Sequence, residues 1–219
     1  MDTFTLVGSI CIVIFAITTH EAAHAWVADK LGDPTARLMG RITLNPLPHI
    51  DLYLTILLPA ILLYTTGIAF GGAKPVPVQI HRMRKPFQGM ALVAIAGPLS
   101  NFLQALLWGA LLSLFLNFGI WDESAKGIEI LRIGIIVNIV LMVFNLMPIP
   151  PLDGSRVVIY FLKGEARKTY ASLERYGILI LIALILFGRE SMWQILSFFI
   201  NPLVEFVIWV TGIPISAGI

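Results

Sequence analysis

Long apolar runs separated by short polar stretches extend through the whole chain. Six stand out, at about 4–28, 52–70, 88–118, 129–149, 174–188 and 191–212. Crossing the hydrocarbon of a bilayer takes roughly 20 residues of helix. The pattern therefore predicts an all-α polytopic membrane protein with about five or six membrane segments. The polar stretches between the runs are unequal in charge. Lys30, Arg37 and Arg41 follow the first run. Lys74, Arg82, Arg84 and Lys85 follow the second, and Arg156, Lys163, Arg167, Lys168 and Arg175 lie between the fourth and fifth. These are twelve of the fifteen Lys and Arg residues. The loop 119–129 holds Asp122, Glu123 and Glu129 against Lys126 alone. Basic loops stay in the cytoplasm, so the three basic stretches are expected inside and the acidic loop outside.

That orientation conflicts with a simple span at 52–70, because basic stretches flank it on both sides. The run is short and carries Pro59 near its centre and Thr65-Thr66-Gly67 after it. It is expected to be a re-entrant segment that returns to the cytoplasmic side. Irregular backbone at that depth must be covered by protein or a wet cavity. On this reading 4–28 enters from outside, 88–118 runs out, 129–149 runs in and 174–188 runs out. The last run, 191–212, carries Pro202 and Glu205, and it either returns or lies along the interface.

Composition sharpens the class. Of the 219 residues, 58% are hydrophobic and 13% charged, about half the charged content of an ordinary soluble domain. Mean hydropathy is +0.87. These values exclude a soluble enzyme, and the 219 residues leave no room for a separate soluble domain. A net charge of +2 gives no reason to expect nucleic acid as a partner. The single cysteine, Cys11, excludes an internal disulfide. The first run is too long for a cleavable signal peptide and lacks a basic leader. No internal repeat is visible, against an inverted-repeat transporter.

Candidate chemistry lies in the first run, at THEAAHAW (19–26). On a helix His20 and His24 are four residues apart and project from one face, as two ligands of one tetrahedral zinc would. Glu21 follows His20 and is placed to act as general base without taking a coordination position. Ionisable groups inside a membrane segment mark function by default. A catalytic zinc takes a third protein ligand and leaves the fourth position open. Asp153, in NLMPIPPLDG (145–154), is the favoured third ligand because it sits at the cytoplasmic end of 129–149, at the depth expected of the histidines. Pro148, Pro150 and Pro151 prevent regular helix there, and Gly154 allows a tight turn. His49, Asp51 and His81 are competing ligands in cytoplasmic loops.

HEAAH in a first membrane helix, followed far downstream by NLMPIPPLDG, resembles the site-2 protease family of intramembrane zinc metalloproteases, peptidase family M50. AGPLSN (96–101) is similar to the family's Gly-Pro-x-x-Asn element, and GGAKPVPV (71–78) to a segment that forms a membrane-associated β-hairpin in the family. These matches cover about residues 10–165. With LGDPTARLMGRITLNPLPHID (31–51) and no visible PDZ or CBS domain, the chain resembles the compact prokaryotic group.

The resemblance implies one transmembrane protease domain over 1–219, with a catalytic core at about 4–165 and C-terminal membrane segments at about 174–212. It implies one Zn²⁺ per chain on His20, His24 and Asp153, with Glu21 as general base. Asn145 is expected near the metal, binding substrate backbone or oxyanion, with an amide that stabilises the bend as the alternative, and Asn101 either faces the same cavity or is a helix-packing position. The implied substrates are transmembrane proteins or peptides cut in or near the lipid bilayer of the cytoplasmic membrane, from a site towards the cytoplasm. The alternative is a zinc-binding membrane protein that does not cleave, either a transporter or a binder of membrane helices. Outside the proposed site the runs hold few ionisable groups, such as Arg132 and Glu205, which weighs against a transporter.

Overall fold

In the computed structural model, residues 2–67, 71–122 and 125–214 are described. Residues 68–70, which end the 52–70 run, and Glu123 of the acidic loop lie outside the described residues. The fold is helical throughout. Helix α1 spans Thr3–Lys30, and a short turn, α2, spans Thr35–Leu38. A π-helical turn at Leu52–Leu57 leads into α3, Leu58–Thr66. Helices α4 (Pro86–Asn117) and α5 (Lys126–Asn145) follow. Then come α6 (Asp153–Phe161), α7 (Gly164–Ser172), α8 (Gly177–Phe187) and α9 (Arg189–Thr211). Among the described residues five stretches are long and apolar enough to cross a membrane: 3–30, 86–117, 126–145, 164–187 and 190–211. The chain is an integral membrane protein.

Helices α1, α4 and α5 pack against one another, and α9 closes on α4 and α5. Lipid tails are as apolar as leucine, so helices in a bilayer associate through close packing rather than by hiding apolar surface. The contact points show this. A Cβ at Gly134 of α5 would sit 2.9 Å from the Trp108 ring of α4, and one at Gly109 of α4 would sit 2.9 Å from Val207 of α9. Leu112, Ile128, Ile135, Ile139 and Val207 fill the centre and are fully buried. Large apolar side chains such as Phe4, Leu103, Phe198 and Trp209 point outward, as lipid-facing residues do.

The segment around 52–78 differs from expectation. The described residues contain no strand, so the membrane-associated β-hairpin expected at 71–78 is not formed. Pro75 and Pro77 cannot donate to a ladder, and the polar groups of this extended segment go elsewhere. The Gly72 N–H donates to Leu54 O and the Lys74 N–H to His49 O. The carbonyls of Lys74 and Pro75 accept from Arg41 Nη2, and the Gln79 N–H donates to Asp33 Oδ2. The chain thus leaves through α3 and comes back beside the start of the π-helical turn.

Asp33 is the pin of this arrangement. Its carboxylate is fully buried and accepts from Thr35 as well as from Gln79. Burial opposes its ionisation, but these hydrogen bonds and the charge of Arg82 prevail and hold its pKa below the ordinary value. A carboxylate with a depressed folded pKa contributes stability above its unfolded pKa of about 3.9 and loses it as pH falls further. Asp33→Ala should therefore cost on the order of 1–3 kcal/mol. Hydrogen exchange should report this as faster opening of 71–82, and in wild type the same segment should loosen as pH drops below about 4.

Candidate metal centre

Helix α1 carries His20 and His24 on one face, where both are buried. The helix continues six residues beyond His24 to Lys30, roughly 9 Å of rise, so the pair lies further inside the helix than an end position. Asp153 arrives from the other side of the sequence. The proline turn after α5 ends at Asp153, the first residue of α6. Gly154 makes this possible, since a Cβ there would lie 2.1 Å from Leu146 O at the end of α5. Tyr170 Oη donates to Pro148 O at 2.8 Å and pins the turn.

Three ligand-type atoms converge. His20 Nε2 and His24 Nε2 are 3.0 Å apart, and Asp153 Oδ2 is 3.2 Å from the first and 3.3 Å from the second. Helix α4 fixes the other ring nitrogens. His24 Nδ1 is 2.7 Å from the carbonyl oxygen of Val93, and His20 Nδ1 is 2.6 Å from Asn101 Oδ1. A carbonyl oxygen only accepts, so both Nδ1 atoms carry the proton and both Nε2 atoms present lone pairs. Two lone pairs and a carboxylate oxygen then face one another, and Asp153 Oδ2 is buried with no hydrogen bond of its own. This arrangement is repulsive unless a metal cation or an added proton lies among them. Two ligand atoms about 2.05 Å from a tetrahedral zinc stand roughly 3.3 Å apart, close to all three observed edges. The donor set fits the metal in number, type and spacing.

The approach of α4 depends on Gly97. A Cβ there would lie 2.4 Å from His24 Nε2 and 2.6 Å from His20 Cε1. Glu21 is half-buried beside the triangle in sequence, and its carboxylate makes no hydrogen bond among the described residues. It lies within electrostatic reach of Arg41 and His49, both almost fully buried, whose Nε and Nδ1 atoms respectively have no hydrogen-bond partner among the described residues.

The other expected site residues go elsewhere. Asn101 is fully buried, with its oxygen on His20 and its nitrogen donating to Ala16 O at 3.4 Å, so it holds a histidine rather than facing a cavity. Asn145 Nδ2 donates back to Leu141 O within α5. His49 Nε2 donates to Thr43 O, Asp51 caps Tyr53 and Leu54, and His81 sits exposed on a 3-10 turn. Among the described residues, none of these three joins the metal-type cluster. The Val93 carbonyl and the tight Gly97 contact are contributions that the sequence reading missed. The first has no side-chain signal, and the second was visible only as part of AGPLSN.

A helical membrane bundle that brings two buried histidines and a half-buried aspartate together offers the donor set of a metalloprotein. The profile of Peptidase family M50 matches residues 120–188. The chain is 36% identical over 200 residues to YwhC of Bacillus subtilis (strain 168), named as a zinc metalloprotease; the match covers 90% of this chain and 82% of that protein. It is 31% identical over 184 residues to Rip2 of Mycolicibacterium smegmatis, which carries the same description, covering 82% of this chain and 67% of that one. Over 180 residues it is 28% identical to Rip2 of Mycobacterium tuberculosis (strain H37Rv), covering 82% and 67%. No solved structure gives a significant match. The chain belongs to peptidase family M50, the zinc metalloproteases of site-2 protease type.

Gly97→Ala tests the close approach of α4. The added methyl must push α4 away from both histidines. Metal retention through dialysis against a chelator should fall by at least tenfold, while circular dichroism in detergent stays helical.

Proposed function

We propose that this metalloprotease holds one zinc per chain on His20, His24 and Asp153 and cuts transmembrane segments of other proteins. The observation that carries the reading is the convergence of the two imidazole Nε2 atoms and Asp153 Oδ2 within 3.3 Å of one another. Zinc, when bound there, supplies Lewis acidity and acidifies a water. The remaining work falls to the chain itself. Glu21, with its carboxylate free of hydrogen bonds among the described residues, accepts the proton of the attacking water and later returns it to the departing amide nitrogen. The histidines remain fixed because the second nitrogen of each ring is held by helix α4.

The substrate is a membrane helix that unwinds locally, since its peptide bonds are otherwise hydrogen-bonded inside the helix. Three features support a site that opens towards the cytoplasm. The triangle lies in the half of α1 nearest Lys30, the basic residues Lys30, Arg37 and Arg41 follow at that end, and Asp33 just beyond it binds the Gln79 N–H of the next basic stretch. A re-entrant path for the run that begins at 52 is supported by the Gly72 N–H bond to Leu54 O, which brings residue 72 back beside the start of that run. The core at 4–165 and the segments at 174–212 act as one protease unit in the cytoplasmic membrane.

The test is metal analysis and cleavage of a helical transmembrane substrate by purified wild type, Glu21→Gln and Asp153→Ala. Wild type should carry about one zinc per chain and cleave. Glu21→Gln should keep zinc and lose at least a hundredfold in cleavage rate, the scale of a missing general base. Asp153→Ala should lose zinc. Cleavage that survives Glu21→Gln would leave a zinc-binding membrane protein of another kind as the better reading.

A further inference from the structure

Asn138 lies in the middle of α5, amid apolar residues, and is fully buried. A buried amide inside a membrane helix is costly unless both its ends are satisfied. Here both are. Asn138 Nδ2 donates to Gly134 O at 2.9 Å in its own helix, and Asn138 Oδ1 accepts from Asn101 Nδ2 at 3.0 Å. Asn101 Oδ1 in turn faces His20 Nδ1 at 2.6 Å. A run of hydrogen bonds therefore crosses three helices, from the α5 backbone through two amides to a metal-type imidazole.

The direction of the run is set at its far end. The Gly134 carbonyl can only accept, so the Asn138 nitrogen must face it and the Asn138 oxygen must face Asn101. That oxygen demands the nitrogen of Asn101, which leaves the oxygen of Asn101 for His20. Without Asn138, the Asn101 nitrogen is held only by Ala16 O at 3.4 Å. A flipped Asn101 would present its N–H₂ to His20 Nδ1. The imidazole would then carry its proton on Nε2, where the metal-facing lone pair is needed.

We propose that Asn138 is a positioning residue for the metal centre: it fixes the orientation of the Asn101 amide and, through it, the tautomer of His20. The inference rests on His20 being a zinc ligand, and two variants and two readouts separate it from that reading. Asn138→Leu removes both ends of the amide at similar size. Ile135→Ala loosens the same fully buried face of α5 without touching the hydrogen bonds.

The experiment uses the full chain in detergent, stripped of metal, with zinc affinity measured by chelator competition and the His20 tautomer by imidazole ¹⁵N shifts. In wild type His20 should keep a proton on Nδ1, accepted by the Asn101 oxygen. In Asn138→Leu the tautomers should mix and zinc should bind about tenfold more weakly, near the lower end of the effect seen when groups behind a ligand are lost. Asn138→Asp, which keeps an acceptor oxygen for Asn101, should recover most of both. Ile135→Ala should lower the melting temperature and change neither.

An unchanged tautomer and affinity in Asn138→Leu would reduce Asn138 to a packing residue and overturn the proposal. If Asn138→Leu fails to fold, Asn138→Asp decides: a mixed tautomer there, with the acceptor present, also overturns it. A wild type that takes up no zinc would defeat the zinc reading instead, and the tautomer of His20 would still decide the role of Asn138.

Discussion

Everything at the centre of this protein depends on keeping two imidazole lone pairs and a carboxylate oxygen pointed at one another inside a membrane. With neither a metal cation nor a proton among them the three groups repel, and the buried rings are largely cut off from water that would relieve them. The fold resolves this by bringing α4 close enough to grip both histidines from behind. The Val93 carbonyl takes the Nδ1–H of His24, and Asn101 takes that of His20. The approach is possible only because residue 97 is glycine. The same compactness recurs at Gly109 and Gly134, where α4 meets α9 and α5. Packing through small residues is thus both the means by which the bundle holds together and the means by which it holds the ligands.

The second constraint is delivery of Asp153 from more than a hundred residues away in sequence. Helix α5 must end, turn sharply and restart as α6 with the aspartate as its first residue. The run Pro148-Ile149-Pro150-Pro151 forbids helix in between, and Gly154 lets the restart press against the last turn of α5. Beyond the end of α1, Asp33 and Arg41 tie down the segment 74–79. Helices therefore hold the His-His-Asp group, and side-chain pins hold the segment that follows α3.

How much of this was legible in the sequence follows from what each feature depends on. Membrane helices announce themselves through hydropathy, a local property, and the five long helices fall close to the apolar runs. The spacing of His20 and His24 is also local, and Asp153 could be inferred from the turn chemistry around it. The β-hairpin expected at 71–78 does not form, because backbone groups of this segment are satisfied by Asp33, Arg41 and His49, partners far away in sequence that periodicity cannot reveal. Asn101 and Asn145 are each open to a cavity-facing or a packing reading, and the structure turns Asn101 Oδ1 to His20 and Asn145 Nδ2 to Leu141 O. Residue type alone does not say whether an asparagine faces a cavity or a histidine ring. Asn138 was visible only as one amide in an apolar run, and its meaning needed the three-helix contact.

The most direct test of the account is X-ray absorption at the zinc edge of the purified protein, read as a coordination shell. The account predicts two imidazole nitrogens at about 2.0–2.1 Å with the remaining positions filled by oxygen at about 2.0–2.2 Å, one from Asp153 and one from solvent or substrate. A shell of three or more imidazoles, or a sulfur neighbour at about 2.3 Å, would place the metal elsewhere and contradict it.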